Sequence, residues 1–176
     1  MPGHTSSIHH SYPELIAAYN VQPNWNTVAA EPPSGTLKLN STAVYDFLDT
    51  LWDDVLPRIA PYTNMMHTGG DEVNIRAYDL DETVKSSDPR VIQPLLQRFV
   101  DKAHSRIRAS GMTPVVWEEM LLHDNITLGK DVIVQTWLGS ASAVKVVEAG
   151  HQVIIGTHTH WVSSKKQDTS RHICTD

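Results

Sequence analysis

Met65-Met66-His67-Thr68-Gly69-Gly70-Asp71-Glu72-Val73-Asn74 is an apolar run that ends in a histidine, two glycines and two adjacent carboxylates. A run this short reads as a strand buried on both faces, over residues 62–67. Paired glycines let the backbone turn tightly and let a ligand approach closely. Consecutive carboxylates just past a strand end can sit in different environments and hold different pKa values, which suits acid/base chemistry. The plain alternative is a helix N-terminus, where Asp and Glu are favoured by the macrodipole.

Three further short β-branched or apolar runs, at 113–117, 132–136 and 152–155, predict strands. Helical spacing separates them. Ala43, Val44, Phe47, Leu48, Leu51, Val55 and Leu56 recur at three and four, as do Val91, Ile92, Leu95, Leu96, Phe99, Val100, Ala103 and Ile107. These predict two amphipathic helices. Asn40-Ser41-Thr42 offers capping chemistry before the first, and Gly111 a C′ residue after the second. A third helix is expected over 142–148, ending at Gly150. Three successive crossovers imply parallel neighbours and hence an α/β fold. Residues 20–39, with Pro23, Pro32, Pro33 and Gly35 and few periodic apolar positions, read as a long loop.

The chain has 176 residues, enough for one domain, and 14 basic against 20 acidic side chains. That balance offers no footprint for a phosphate backbone or an anionic membrane, so neither nucleic acid nor membrane is expected as a partner. No apolar stretch approaches the roughly 20 residues of a bilayer span, and the first residues lack the features of a signal peptide. The single cysteine, Cys174, has no internal partner. Two sequons, Asn40-Ser41-Thr42 and Asn125-Ile126-Thr127, would suit a secreted glycoprotein.

Two of the predicted strands end in tryptophan, at Trp117 and Trp137. In a (β/α)₈ barrel the catalytic face is the C-terminal end of the strands, so Asp71, Glu72, Trp117 and Trp137 would converge there, with His4 if an earlier strand ends at Met1-Pro2-Gly3-His4. Flat aromatic walls beside a carboxylate pair are what a sugar ring needs. A tryptophan is otherwise core packing. His9, His10 and His4, or His158 and His160, are alternative metal ligands, but their spacing matches no established ligand set, and neither a metal nor a cofactor is expected.

His67-Thr68-Gly69-Gly70-Asp71-Glu72-Val73, Pro2-Gly3-His4 and Trp117-Glu118-Glu119 resemble the signatures of glycoside hydrolase family 20, the β-N-acetylhexosaminidases, and of fungal members above all. The resemblance implies a partial (β/α)₈ barrel, roughly half of one, over residues 1–161, followed by a divergent, disordered tail over 162–176. It also implies a retaining hydrolase that uses the substrate's own 2-acetamido group as nucleophile, acting on N-acetylglucosamine- or N-acetylgalactosamine-containing oligosaccharides. Glu72 would be the general acid/base and Asp71 the acetamide partner. Trp117 and Trp137 would enclose the acetamido methyl, with His4 and His67 in the polar shell around the acid.

The same comparison implies elements that are not found here. Family members carry a hydroxyl-binding arginine and aspartate on earlier strands, a tyrosine where this chain reads Val162-Ser163-Ser164, and a last strand with a tryptophan. The expectation is therefore a truncated form, inactive alone, of a secreted parent enzyme for which a homodimer is open. A catalytically degenerate sugar-binding fragment is the alternative.

Overall fold

A computed structural model describes residues 3–157; the expected tail, His158 and His160 lie outside the described residues. The chain opens with two 3₁₀ turns, Ser6–His10 and Pro13–Leu15, and a two-residue strand, β1 (Ile16–Ala17). β1 pairs antiparallel with β2 (Thr36–Leu37), Ile16 opposite Leu37. The segment expected to be one long loop is thus a hairpin arm that returns to pair with the residues before it. Ser34 fastens it: its Oγ donates to the Ala18 carbonyl at 2.7 Å and accepts the Val21 N–H at 2.8 Å. Strands of two residues leave no alternation to read in a sequence, although Leu37 and Leu39 are fully buried. The Thr5 N–H reaches the Gly35 carbonyl, and Gly35 lies so close to Ser6 that an added Cβ would be 2.8 Å from the Ser6 Cα. The excursion between Thr5 and Gly35 therefore begins and ends at one point.

Helix α1 (Thr42–Ile59) buries Val44, Leu48, Trp52 and Leu56, a strict four-residue stripe, while Leu51 points outward. Ser41 sits at its N-cap, yet the side chain makes no cap bond. The neighbouring Asn40 is held instead by Arg98, which donates to its Oδ1 at 3.1 Å, and by the Thr83 carbonyl. Helix α2 (Pro89–Ala109) starts with Asp88 accepting the Arg90 N–H at 2.8 Å and Pro89 in its first turn, where a missing N–H costs nothing. It buries Ile92, Leu96, Phe99, Val100, Ala103 and Ile107, and Gly111 follows its end at φ +77°, as expected of a C′ residue.

Four strands, β3 (Met65–His67), β4 (Thr113–Trp117), β5 (Ile133–Thr136) and β6 (Gln152–Ile155), form one parallel sheet in that order. Val115 stands opposite His67 and Ile133, and Ile133 opposite Gln152. Among the described residues β3 and β6 are the two edges, so Met65 and Ile155 are exposed and only β4 and β5 are buried as the apolar runs predicted. The first strand is also shorter than its apolar run. Tyr62 belongs to the turn after α1, its N–H bonded to Ile59, and is almost fully exposed.

Helix α2 crosses from β3 to β4, and a further helix, Ser140–Glu148, crosses from β5 to β6 and ends before Gly150 at φ +84°. Between them the β4–β5 connection contains α3 (Glu118–Leu122), one short helix that begins directly at the strand end. Five residues are too few for a periodic pattern, which is why α3 is not legible as a helix in the sequence. One apolar cluster runs from Leu15 and Leu39 through both long helices to Val116, Val134 and Val146. Each fully buried side chain in it contributes about 1.5–3 kcal/mol. No helix among the described residues is long and apolar enough to cross a membrane.

Candidate active site

All four strands of the parallel sheet point their C-terminal ends to the same rim, and the residues after β3 are fixed there by β4. The Thr68 N–H donates to Val115 O at 2.8 Å and the Trp117 N–H to Gly69 O at 3.1 Å, so the ladder continues past the strand into the glycine pair. The Thr68 hydroxyl adds a bond to Val115 O and a contact to His104 Nε2 at 3.3 Å. Gly69 and Gly70 then adopt φ +74° and +103°. A Cβ on Gly70 would stand 2.5 Å from Met120 Cγ of α3. Only glycine has both the backbone freedom and the clearance at this position.

That turn presents Asp71 and Glu72, the latter at φ +53°, strained for a residue with a side chain. His4 lies against both, its Nε2 3.4 Å from Asp71 Oδ2 and 3.3 Å from Glu72 Oε2. Gly3 allows this approach, since a Cβ there would be 3.3 Å from the Asp71 carbonyl. The hydrogen bond with Asp71 raises the His4 pKa above its ordinary value, against the effect of partial burial. Burial alone would raise the Asp71 carboxyl, but the hydrogen bond from His4, its own backbone amide and the charge of His4 bring it below the usual range. Asp71 is therefore an anion with one oxygen occupied. Its Oδ1 is buried with no partner among the described residues.

His67, the last residue of β3, accepts the Gly69 N–H on Nδ1 at 2.9 Å, which puts its own proton on Nε2. Nε2 is buried and without a partner among the described residues. Burial lowers the pKa of His67, so it stands neutral as a donor. Its ring lies 4.8 Å from Trp117, and Trp117 meets Trp137 edge-on at 6.4 Å and 67°. The six residues singled out in the sequence, His4, His67, Asp71, Glu72, Trp117 and Trp137, thus share one rim. They combine a free anionic acceptor, a free neutral donor, a second carboxylate and an aromatic corner.

Two further residues hold that corner, and their part is not visible in the sequence. Glu118 Oε1 accepts the backbone N–H groups of Trp137 and Leu138, each at 2.6 Å, and Glu119 accepts the Trp137 indole N–H at 2.9 and 3.0 Å. In the sequence both carboxylates stand out only as part of the Trp117-Glu118-Glu119 signature, and nothing in their spacing points to a partner about 18 residues on. His9 stacks on Tyr19 at 3.6 Å and His10 meets its edge. Among the described residues no group of three or more His, Cys, Asp or Glu could hold a metal ion.

A parallel half-barrel with a carboxylate pair and an aromatic wall at its C-terminal rim defines the catalytic domain of a (β/α)₈ glycoside hydrolase. The chain belongs to glycosyl hydrolase family 20, whose catalytic-domain profile matches residues 1–172. It is 45% identical over 169 residues to a β-hexosaminidase of Arthroderma benhamiae, covering 92% of this chain and 28% of that protein. It is 28% identical over 155 residues to a probable β-hexosaminidase of Drosophila melanogaster, covering 84% of this chain and 22% of the relative. The chain thus spans less than a third of these relatives. Among solved structures, the chitobiase of Flavobacterium johnsoniae superposes with a TM-score of 0.69 at 25% identity, over 89% of this chain and 24% of that one. The expected partial barrel is the fold found.

Proposed function

We propose that the protein to which this chain belongs is a retaining β-N-acetylhexosaminidase that removes non-reducing terminal N-acetylhexosamine from chitin oligosaccharides and glycans with help from the substrate's 2-acetamido group. The observation that carries this reading is the inequality of the two neighbouring carboxylates. Asp71 is kept ionised by His4 and has a buried oxygen with no partner among the described residues, while Glu72 stands beside it on the strained residue of the turn. A double displacement by two carboxylates sets them about 5 Å apart on opposite sides of the sugar, whereas Asp71 and Glu72 both lie within 3.4 Å of the one nitrogen His4 Nε2. Substrate assistance asks for one acid and one fixed acceptor.

In the first step the acetamido carbonyl oxygen bonds to C1 as the C1–O glycosidic bond breaks, and the departing oxygen takes the Glu72 proton. Asp71 Oδ1 accepts the acetamide N–H, which aims the carbonyl at C1 and stabilises the positive charge of the oxazolinium ion. Trp117 and Trp137 pack on the acetamido methyl, and the His67 Nε2–H and His4 supply polar contacts around the acid. Water then attacks C1, gives a proton to Glu72 and releases the acetamide, so two inversions leave the anomer retained. The names of the relatives, β-hexosaminidases and a chitobiase, support this substrate class, and the two sequons support secretion of the parent enzyme.

The test compares the Asp71→Asn variant with wild type on aryl N-acetyl-β-glucosaminide and on the matching β-glucoside, in the intact enzyme. The expected result is cleavage of the acetamido sugar alone, with the variant impaired by about 10² or more. Cleavage of both sugars at similar rates, or a variant with unchanged turnover, would remove the acetamido group from the mechanism.

A further inference from the structure

Glu118 and Glu119 open α3 immediately after Trp117, and both are buried, Glu118 completely. Burying one carboxylate is costly unless it is hydrogen-bonded, and two neighbours on one turn add mutual repulsion. In return, three donors converge on the pair, and all belong to Trp137 and Leu138 at the end of the next strand: two backbone N–H groups on Glu118, the indole N–H on Glu119. Glu118 thus fixes where the chain leaves β5. Glu119 grips the far edge of the ring with both oxygens, which fixes the rotation of the indole about its own axis. Holding a loop alone would need only the first of these.

We propose that Glu118 and Glu119 are positioning residues of the sugar pocket, a two-carboxylate clamp that sets the backbone and the ring plane of Trp137 against Trp117. The proposal rests on reading that aromatic corner as the acetamido pocket, but its geometry does not. The clamp holds Trp137 edge-on to Trp117, so that the two rings form a corner at 6.4 Å and 67°. Because the acceptor is charged, it also draws the indole proton toward itself and enriches the ring face, where the oxazolinium charge would develop. Burial raises the Glu119 pKa, Trp137 opposes this, and the charges of Glu118 and of Asp71 across the rim add to it; Asp124, just beyond α3, is a third acid beside it.

The indole proton reports the clamp directly. In ¹⁵N-labelled chain 1–176 the Trp137 Nε1–H is assigned by its loss in Trp137→Phe, and the other indoles serve as references. The expected result in wild type is a resonance downfield of the rest at neutral pH that moves upfield on acidification, with a midpoint above that of an ordinary glutamate. Glu119→Gln removes this titration. A Trp137 proton at the position of a solvated indole and unmoved by pH overturns the clamp from wild type alone, whether or not the variant folds. In the intact enzyme Glu119→Gln should lower kcat by about 10-fold to 10²-fold with KM changed much less. An intact clamp with no effect on kcat leaves Glu119 a structural residue and overturns the positioning role. If instead even the wild-type enzyme fails to cleave acetamido sugars, it is the sugar reading that falls.

Discussion

Gly70→Ala places one methyl group where the turn before Asp71 passes Met120. Two costs are separable. The first is backbone strain, since φ +103° lies where L-residues carry a penalty of about 1–2 kcal/mol. The second is overlap: the new Cβ would stand 2.5 Å from Met120 Cγ and 3.0 Å from its Sδ, on a side chain that is fully buried, and overpacking of this kind costs about 1–3 kcal/mol. Together they predict a loss of about 2–5 kcal/mol. Gly111→Ala isolates the first cost, because φ is +77° and nothing lies within 4 Å of its added Cβ. In urea unfolding Gly70→Ala should fall below Gly111→Ala by about 1 M in midpoint with the same slope. Adding Met120→Ala to Gly70→Ala should restore part of the loss, a coupling of about 1–3 kcal/mol. Equal midpoints for the two alanine variants, or no coupling to Met120, would refute the claim that clearance under α3 dictates this glycine.

Glu72→Gln in the intact enzyme should lower turnover of unactivated chitobiose by about 10² or more and of activated aryl glycosides by less, which steady-state kinetics with both substrates checks. His104 is buried beside Thr68, and its pKa is pushed from 6.5 to about 4 by burial and by Arg108. Its contribution is complete above about 6.5 and is lost as pH falls through about 4, worth about 3 kcal/mol, so His104→Gln should flatten the denaturation midpoint over that window. Asp124 runs the other way: burial, then Glu119, raise it from 3.8 to about 6. The folded state gives up stability as pH rises through that value, so Asp124→Asn should raise Tm at pH 7.5 and leave it unchanged near pH 4, with a gain of up to about 3 kcal/mol.

The parts of this molecule that sequence could announce are those whose cause is periodic or local. Ile92, Leu96, Phe99 and Val100 had to share a helix face, and Gly111 had to end it. Asp71 and Glu72 were conspicuous because two glycines precede them. What stayed hidden depends on partners far along the chain. The role of Glu118 and Glu119 exists only because β5 lies beside β4, which brings Trp137 within reach. The Ile16–Thr36 arm is invisible for a different reason: strands of two residues carry no pattern, and their stability comes from Ser34 and from the burial of Leu37. Ser41 shows the opposite error. Good local chemistry went unused, because Arg98 and Thr83 took hold of the neighbouring Asn40 instead.

The closure of the excursion between Thr5 and Gly35 bears on how this rim can change over evolutionary time. Its two ends are bonded to each other, so an insertion or deletion among the exposed residues at its tip, such as Asn24, Glu31 or Pro32, leaves the distance between those ends as it was. His4, just before the closure, keeps its hold on the two acids, and α1 keeps its start. Chain length at the mouth is thereby uncoupled from the placement of the proton-handling groups. An engineer seeking a new specificity has a segment to exchange whose anchor points are already tied together.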